Sequence, residues 1–185
     1  MDNVEYVLRD ASGNIKPIFQ ENILAKVLLK FGILSPNWQA SYAAFLSPIL
    51  GRMSTAKVIG NLITNAGFAG AAGRLMGSGA PAAFTYIAVG TGATAANVTD
   101  TTLQTETATS GLSRVAGTAS LVTTTVTNDT AQLTTTFTVS GTVAVTESGV
   151  LNASSSGTLL CRQVFSAINV VSGDSLAITW KVKQS

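Results

Sequence analysis

The sequence predicts a mainly β protein: an antiparallel β-sandwich or jelly-roll-like module over residues 81–185, preceded by a helical N-terminal anchoring region over residues 1–80. Three observations lead there. Composition changes near residue 80, from a stretch rich in Leu, Ile and Ala to one that holds nearly all the threonine. The later stretch alternates apolar and polar residues, the period of a strand with one buried face. The earlier stretch carries large aliphatic residues at helical spacing. Between them GSGAPAA, residues 77–83, has the composition of a turn and linker.

Taken in order, residues 4–8 read as a short strand and residues 10–14 (DASGN) as a turn. Ile23, Leu24, Val27, Leu28 and Phe31 follow at i, i+1, i+4, i+5 and i+8, one face of a helix that Gly32 would end as a C-cap. This face is the candidate assembly interface, because the segment has little else large with which to close a core. It is expected to dock on the second module or on a partner. Residues 38–45 and 57–76 are expected to be helical too.

In the second module, residues 84–89 (FTYIAV) form a strand that stops at Gly90-Thr91-Gly92. Residues 113–126 and 131–139 make a hairpin about Thr127-Asn128-Asp129-Thr130. Leu133, Phe137 and Val139 fall on one face of its second arm, and Thr134, Thr136 and Thr138 on the other. Residues 142–146 and 159–170 are further strands. After the turn Ser172-Gly173-Asp174, Leu176, Ile178, Trp180 and Val182 alternate with Ala177, Thr179, Lys181 and Lys183. About six to eight such strands in roughly 100 residues match two packed antiparallel sheets.

Composition excludes several classes of chemistry. Histidine is absent and Cys161 is the single cysteine, so there is no Ser-His-Asp or Cys-His couple, no His metal site, no disulfide framework and no zinc knuckle. No catalytic, cofactor-binding or metal-ligating residue is assigned, and an enzyme is not expected. A formal charge of +2 is too small and diffuse for a nucleic-acid footprint. Charged residues make up only 11% of the chain, against about 25% in ordinary soluble domains, while mean hydropathy is +0.38. A surface so poor in charge is clothed in Thr, Ser, Asn, Gln and Gly, or is covered by other chains. Obligate interfaces have that character, so self-association is expected.

Membrane signals fail on detail. The opening MDNVEYVLRD mixes charges and does not read as a signal peptide. Residues 31–51 are uncharged over the length of a span, but Pro36, Asn37, Gln39 and Pro48 break a helix or bring polar groups that lipid cannot satisfy. Gly73 and Gly77 fit GxxxG, yet Arg74 lies between them. No membrane partner is expected; these runs read as helices buried at a protein interface.

Several motifs reduce to structure. Gly90, Gly92 and Ala95 have GxGxxA spacing after a strand, but the following AANVTDTTLQTE has no amphipathic stripe to supply the helix that pyrophosphate binding needs. The motif reads as a strand-ending turn. Cys161 reads as a packed small side chain, Asp100 and Glu106 as solvated loop carboxylates, and Trp180 as core rather than a sugar-stacking platform. Asn97, Asn128 and Asn152 head glycosylation sequons that carry no meaning without a secretory signal. Glu147 and Arg162 are scarce charges in neutral strands. They either pair, across strands or across subunits, or face solvent.

Five pieces together carry a resemblance: FTYIAVGTG (84–92), TDTTLQTE (99–106), SRV (113–115), TESGVLNA (146–153) and RQVFSAINVVSGDSLAITWKV (162–182). In their order and spacing residues 84–185 resemble small structural proteins of tailed bacteriophages, of the tail-fibre, collar and head-decoration kind. The resemblance implies a non-catalytic, β-rich protein of the virion that self-associates, as a homotrimer, and contacts other virion proteins. It assigns no functional residues, and residues 1–80 lie outside it. Two readings of other classes stand beside it: a membrane-inserted lysis or pore protein, and a carbohydrate-binding β-module.

Overall fold

A computed structural model describes residues 3–31, 33 and 49–183. Strands hold 46% of the chain and helices 12%, so the protein is mainly β, with antiparallel sheets. In the first sheet β1 (Asn3–Arg9) lies between β2 (Ile15–Lys16) and β13 (Ser175–Lys183), and the order continues to β10 (Thr130–Thr138) and β9 (Thr118–Val122). β5 (Lys57–Gly60) also pairs with β1, over the half that β2 leaves free. The second sheet runs β6 (Leu62–Ile63), β12 (Leu159–Val170), β11 (Val143–Leu151), β7 (Tyr86–Gly90), β8 (Val115–Ala116). β3 (Ile18–Glu21) and β4 (Gly51–Ser54) form a separate two-stranded ribbon beside α1 (Ile23–Lys30), and α2 (Asn65–Met76) packs on β12.

One hydrophobic core draws side chains from both sheets. Val4, Tyr6 and Leu8 of β1, Leu133 and Phe137 of β10, and Leu176, Ile178 and Trp180 of β13 face Ile87, Val145, Val150, Phe165 and Ile168 of the second sheet. The alternation along β1, and along β13 as far as Trp180, follows from one face being buried and the other more exposed. Trp180 joins the layers, its Nε1 donating to Ser148 Oγ at 3.2 Å. Beside it, burial pushes the Tyr6 phenol well above its usual range, so it stays neutral. Tyr6 also stacks on Phe165 in a tilted pair, centroids 4.5 Å apart.

The expected helical N-terminal anchoring region is corrected. The chain enters as β1, a strand inside the first sheet, and six of the strands fall within residues 1–80. Both sheets therefore contain strands from either side of the composition break. Of the helix expected over residues 57–76, only Asn65–Met76 is helical; residues 57–60 and 62–63 are β5 and β6. The reason is local: Lys57 and Ile59 are buried and Val58 and Gly60 exposed, a two-residue period that a sequence of mixed apolar and glycine residues conceals. The helix begins where it does because Thr64 caps it, accepting from Gly67 N–H, and it ends at Gly77, φ +63°. The expected helix over residues 38–45 and the Gly32 cap lie outside the described residues.

In the later part the strands lie close to expectation, with two differences. The expected strand over residues 113–126 is two, β8 and β9, broken at Gly117 where the chain leaves the second sheet for the first. β11 extends to Leu151 rather than stopping at Thr146, because Val145 to Leu151 are buried on both faces and so do not alternate. Among the described residues no helix is long and apolar enough to cross a membrane.

Candidate functional site

The five residues proposed as an assembly face divide in the structure. α1 is started by Asn22, whose Oδ1 accepts Ala25 N–H at 3.0 Å. It packs down through Ala25, fully buried, and half-buried Leu28, against Phe19 and Leu50. Ile23 (82% exposed), Leu24 (46%), Val27 (44%) and Phe31 (71%) remain exposed. Ile33, Ile49, Met53 and Val58, from the adjoining segments, are exposed as well. The helix therefore rests on a small buried side and presents its large aliphatic side outward.

Elsewhere the molecule does the opposite and buries charge. Glu147 on β11 is inaccessible to solvent, and Arg162 on β12 nearly so. Arg162 Nε donates to Glu147 Oε2 at 2.8 Å, Nη1 to Asp100 at 2.7 Å, and Nη2 to the Thr94 carbonyl at 3.1 Å. The Glu147 carboxylate also accepts the backbone N–H groups of Gly92 (3.0 Å), Gln104 (3.0 Å) and Thr105 (2.6 Å). The loop between β7 and β8 is thus held to the second sheet by one carboxylate and one guanidinium. Gln104 Oε1 adds bonds to Ala93 and Thr94 N–H, both at 2.8 Å. Next to this frame Arg114 grips Glu106 with two bonds, 2.9 and 2.6 Å, and donates to the Ala153 and Ser156 carbonyls.

This explains the GxGxxA spacing. A Cβ on Gly92 would overlap the Glu147 carboxylate, and one on Gly90 would overlap the Thr105 carbonyl. The glycines make room for a buried carboxylate; no helix follows them. Asp100 and Glu106, expected as solvated loop carboxylates, do reach solvent, Glu106 exposed and Asp100 partly so, and in addition pair with Arg162 and Arg114. Glu147 and Arg162 pair across neighbouring strands of one chain, one of the arrangements the sequence left open.

A second buried ion pair was not legible. Lys57 on β5, fully buried, donates to Glu21 at 2.6 Å, to Ser166 Oγ at 2.5 Å, and to the carbonyls of Phe19 and Ser166. Its ammonium also lies 5.9 Å from the Phe165 ring centroid. The β11–β12 register shifts between Val145 and Glu147, a bulge in the stretch opposite Ser166. Its N–H donates to Glu21 at 3.2 Å. The signal for this pair was weak: a lone Lys at a strand position and a lone Glu, 36 residues apart. Cys161 is buried in β12, and Trp180 is core as expected.

These networks bring together carboxylates and cations with their hydrogen-bonding capacity directed at the protein's own backbone. Their chemistry is structural: they clamp loops and ribbons to the sheets. The α1 face, by contrast, presents large apolar side chains to solvent. Compared with known proteins, the chain matches no family model, no curated protein and no solved structure.

Proposed function

We propose that the chain is a non-enzymatic structural protein of a tailed-phage virion, a fibre, collar or capsid-decorating component whose work is assembly. In this reading the two sheets form a β-sandwich of the jelly-roll-like kind, and the protein self-associates as a homotrimer that contacts other virion proteins. The observation that carries it is the exposed apolar side of α1 and the residue that follows it: Ile23, Leu24, Val27 and Phe31 stand in water in a chain with 11% charged residues. Covering such side chains contributes roughly 25 cal/mol per Å² of apolar surface removed from water, and the described part of the chain leaves them uncovered. The resemblance of residues 84–185 to phage structural proteins supports the virion setting.

Light scattering on the purified full-length chain at micromolar concentration tests the assembly. Trimers, alone or joined in pairs, are expected, and Val27→Asp with Phe31→Asp should give a smaller species with unchanged β circular dichroism. A wild-type monomer would sink the reading. Mass spectrometry of purified particles tests the setting: the chain should be present, in lattice-matched copies for a decorating protein and in few copies for a fibre or collar.

A further inference from the structure

The sheet edges of this molecule are not treated alike. β2, β6 and β8 are two residues long. The free side of β5 is covered by the Gln20 side chain, which accepts from Val58 N–H at 2.9 Å and donates to the Val58 carbonyl at 3.0 Å. β4 carries Arg52. β9 (Thr118–Val122, TASLV) has none of these protections. It is five residues long, almost wholly exposed, and pairs with β10 on one side alone among the described residues. No charge and no proline occurs anywhere in residues 115–128. Monomeric sheet proteins blunt such an edge with Lys, Pro, a bulge or a covering segment, because its unpaired N–H and C=O groups template another strand.

We propose that β9 is a second self-association surface, pairing antiparallel with β9 of another copy about a two-fold axis at Ser120. The strand is self-complementary in that register. Thr118 lies opposite the other copy's Val122, Ser120 opposite itself, and Ala119 opposite Leu121, so each large side chain meets a small one. No like charges are opposed. Ala119 and Leu121 also line an apolar groove of about 780 Å³ between the sheets, walled by Phe68, Leu133, Val150 and Trp180. The added strand therefore places its Leu121 beside that groove, combining main-chain bonds with a seat for an alternate side chain. The proposal rests on the self-association reading above and adds to it: a three-fold contact through α1 and a two-fold contact through β9, with the two axes crossing at a right angle, close into two trimers joined back to back.

The test is the native mass of the full-length chain and three variants. Wild type should be a pair of trimers, Ser120→Lys a single trimer, Val27→Asp with Phe31→Asp a dimer, and the combination a monomer. Ser120→Lys puts two ammonium groups face to face at the axis while changing an exposed side chain, so its circular dichroism should match wild type and its melting should fall only by what the lost pairing supplies. Ser120→Cys should form a covalent dimer under mild oxidation with diamide, since Cys161 is buried. A native mass unaffected by Ser120→Lys overturns the β9 pairing and leaves the α1 trimer standing. A wild-type dimer that becomes a monomer on Ser120→Lys supports β9 and overturns the α1 trimer.

Discussion

The loop between β7 and β8 and the α1 segment are opposite solutions to the same scarcity of charge. In the first, a chain with few ions spends Glu147 and Arg162 in its interior, where each is fully engaged by neighbours of the same chain. In the second, aliphatic side chains that would ordinarily build a core are left in water. Burying an ion costs several kcal/mol unless its partners are all present, so the loop network must be complete within one folded chain. Exposed hydrocarbon carries no such requirement; its free energy is recovered only when another surface arrives. Buried ion networks hold the folded chain together; the exposed hydrocarbon of α1 contributes nothing to that.

Breaking the internal network should have the largest effect. Arg162→Met leaves the Glu147 carboxylate buried without its cation and Asp100 without its partner, and should cost roughly 3–5 kcal/mol in urea unfolding. Adding Glu147→Leu should not restore it, because the Gly92, Gln104 and Thr105 N–H groups then lose their acceptor. A double variant as stable as wild type would show that the carboxylate is not what holds the loop.

Lys57→Met should cost about as much as loss of other buried partners, roughly 3–5 kcal/mol, by stranding Glu21. Here the double variant with Glu21→Gln should recover part of the loss, a coupling of about 0.5–3 kcal/mol in a double-mutant cycle. Additive losses would mean the two side chains act separately.

On the other side of the comparison, Val27→Asp should change protomer stability by no more than about 0.5 kcal/mol, since the side chain is exposed. Leu28→Asp, half-buried against Phe19 and Leu50, should destabilise the β3–β4 ribbon measurably in hydrogen exchange. Equal effects of the two substitutions on unfolding would show that α1 does not have the inner and outer sides described.

The smallest effect concerns two surface turns. The Asp129 carboxylate accepts the N–H groups of Val126, Thr124 and Thr125 and is held well below its usual range, chiefly by the bond from Val126. Asp10 is lowered likewise, chiefly by Asn14 N–H. A depressed carboxylate contributes stability above the unfolded value near pH 4, and that contribution is lost as pH falls through the folded value. Melting temperature should therefore drop less between pH 5 and pH 3 in Asp129→Asn than in wild type. An identical drop in both would remove Asp129 from the acid response.

Local pattern alone was enough for β10, β12 and β13. Leu133 and Phe137, and Leu176, Ile178 and Trp180, alternate with Thr and Lys, and Gly173 at φ +90° turns the chain between the last two. A half-buried strand writes its burial into a two-residue period, so no distant residue is needed to read it. The same logic located α1 and its aliphatic residues, though not which of them the helix would hide, because Phe19 and Leu50 come from other segments.

What the tertiary structure decided is whatever depends on partners far along the chain. β1 is legible in the sequence as a short strand over residues 4–8, but its place beside β13 joins residues 3 and 181. β6 is too short to show a period and that of β5 is concealed among apolar and glycine residues; both pair as strands because β1 and β12 offer them backbone partners. Glu147 and Arg162 stood out in the sequence as scarce charges that would pair or face solvent; only the fold chose pairing within one chain, added Asp100, and closed the site with three amides from one loop. Hydrophobic period is a property of neighbours in sequence, whereas pairing and charge compensation are properties of neighbours in space, and those are fixed when the two sheets close on their common core.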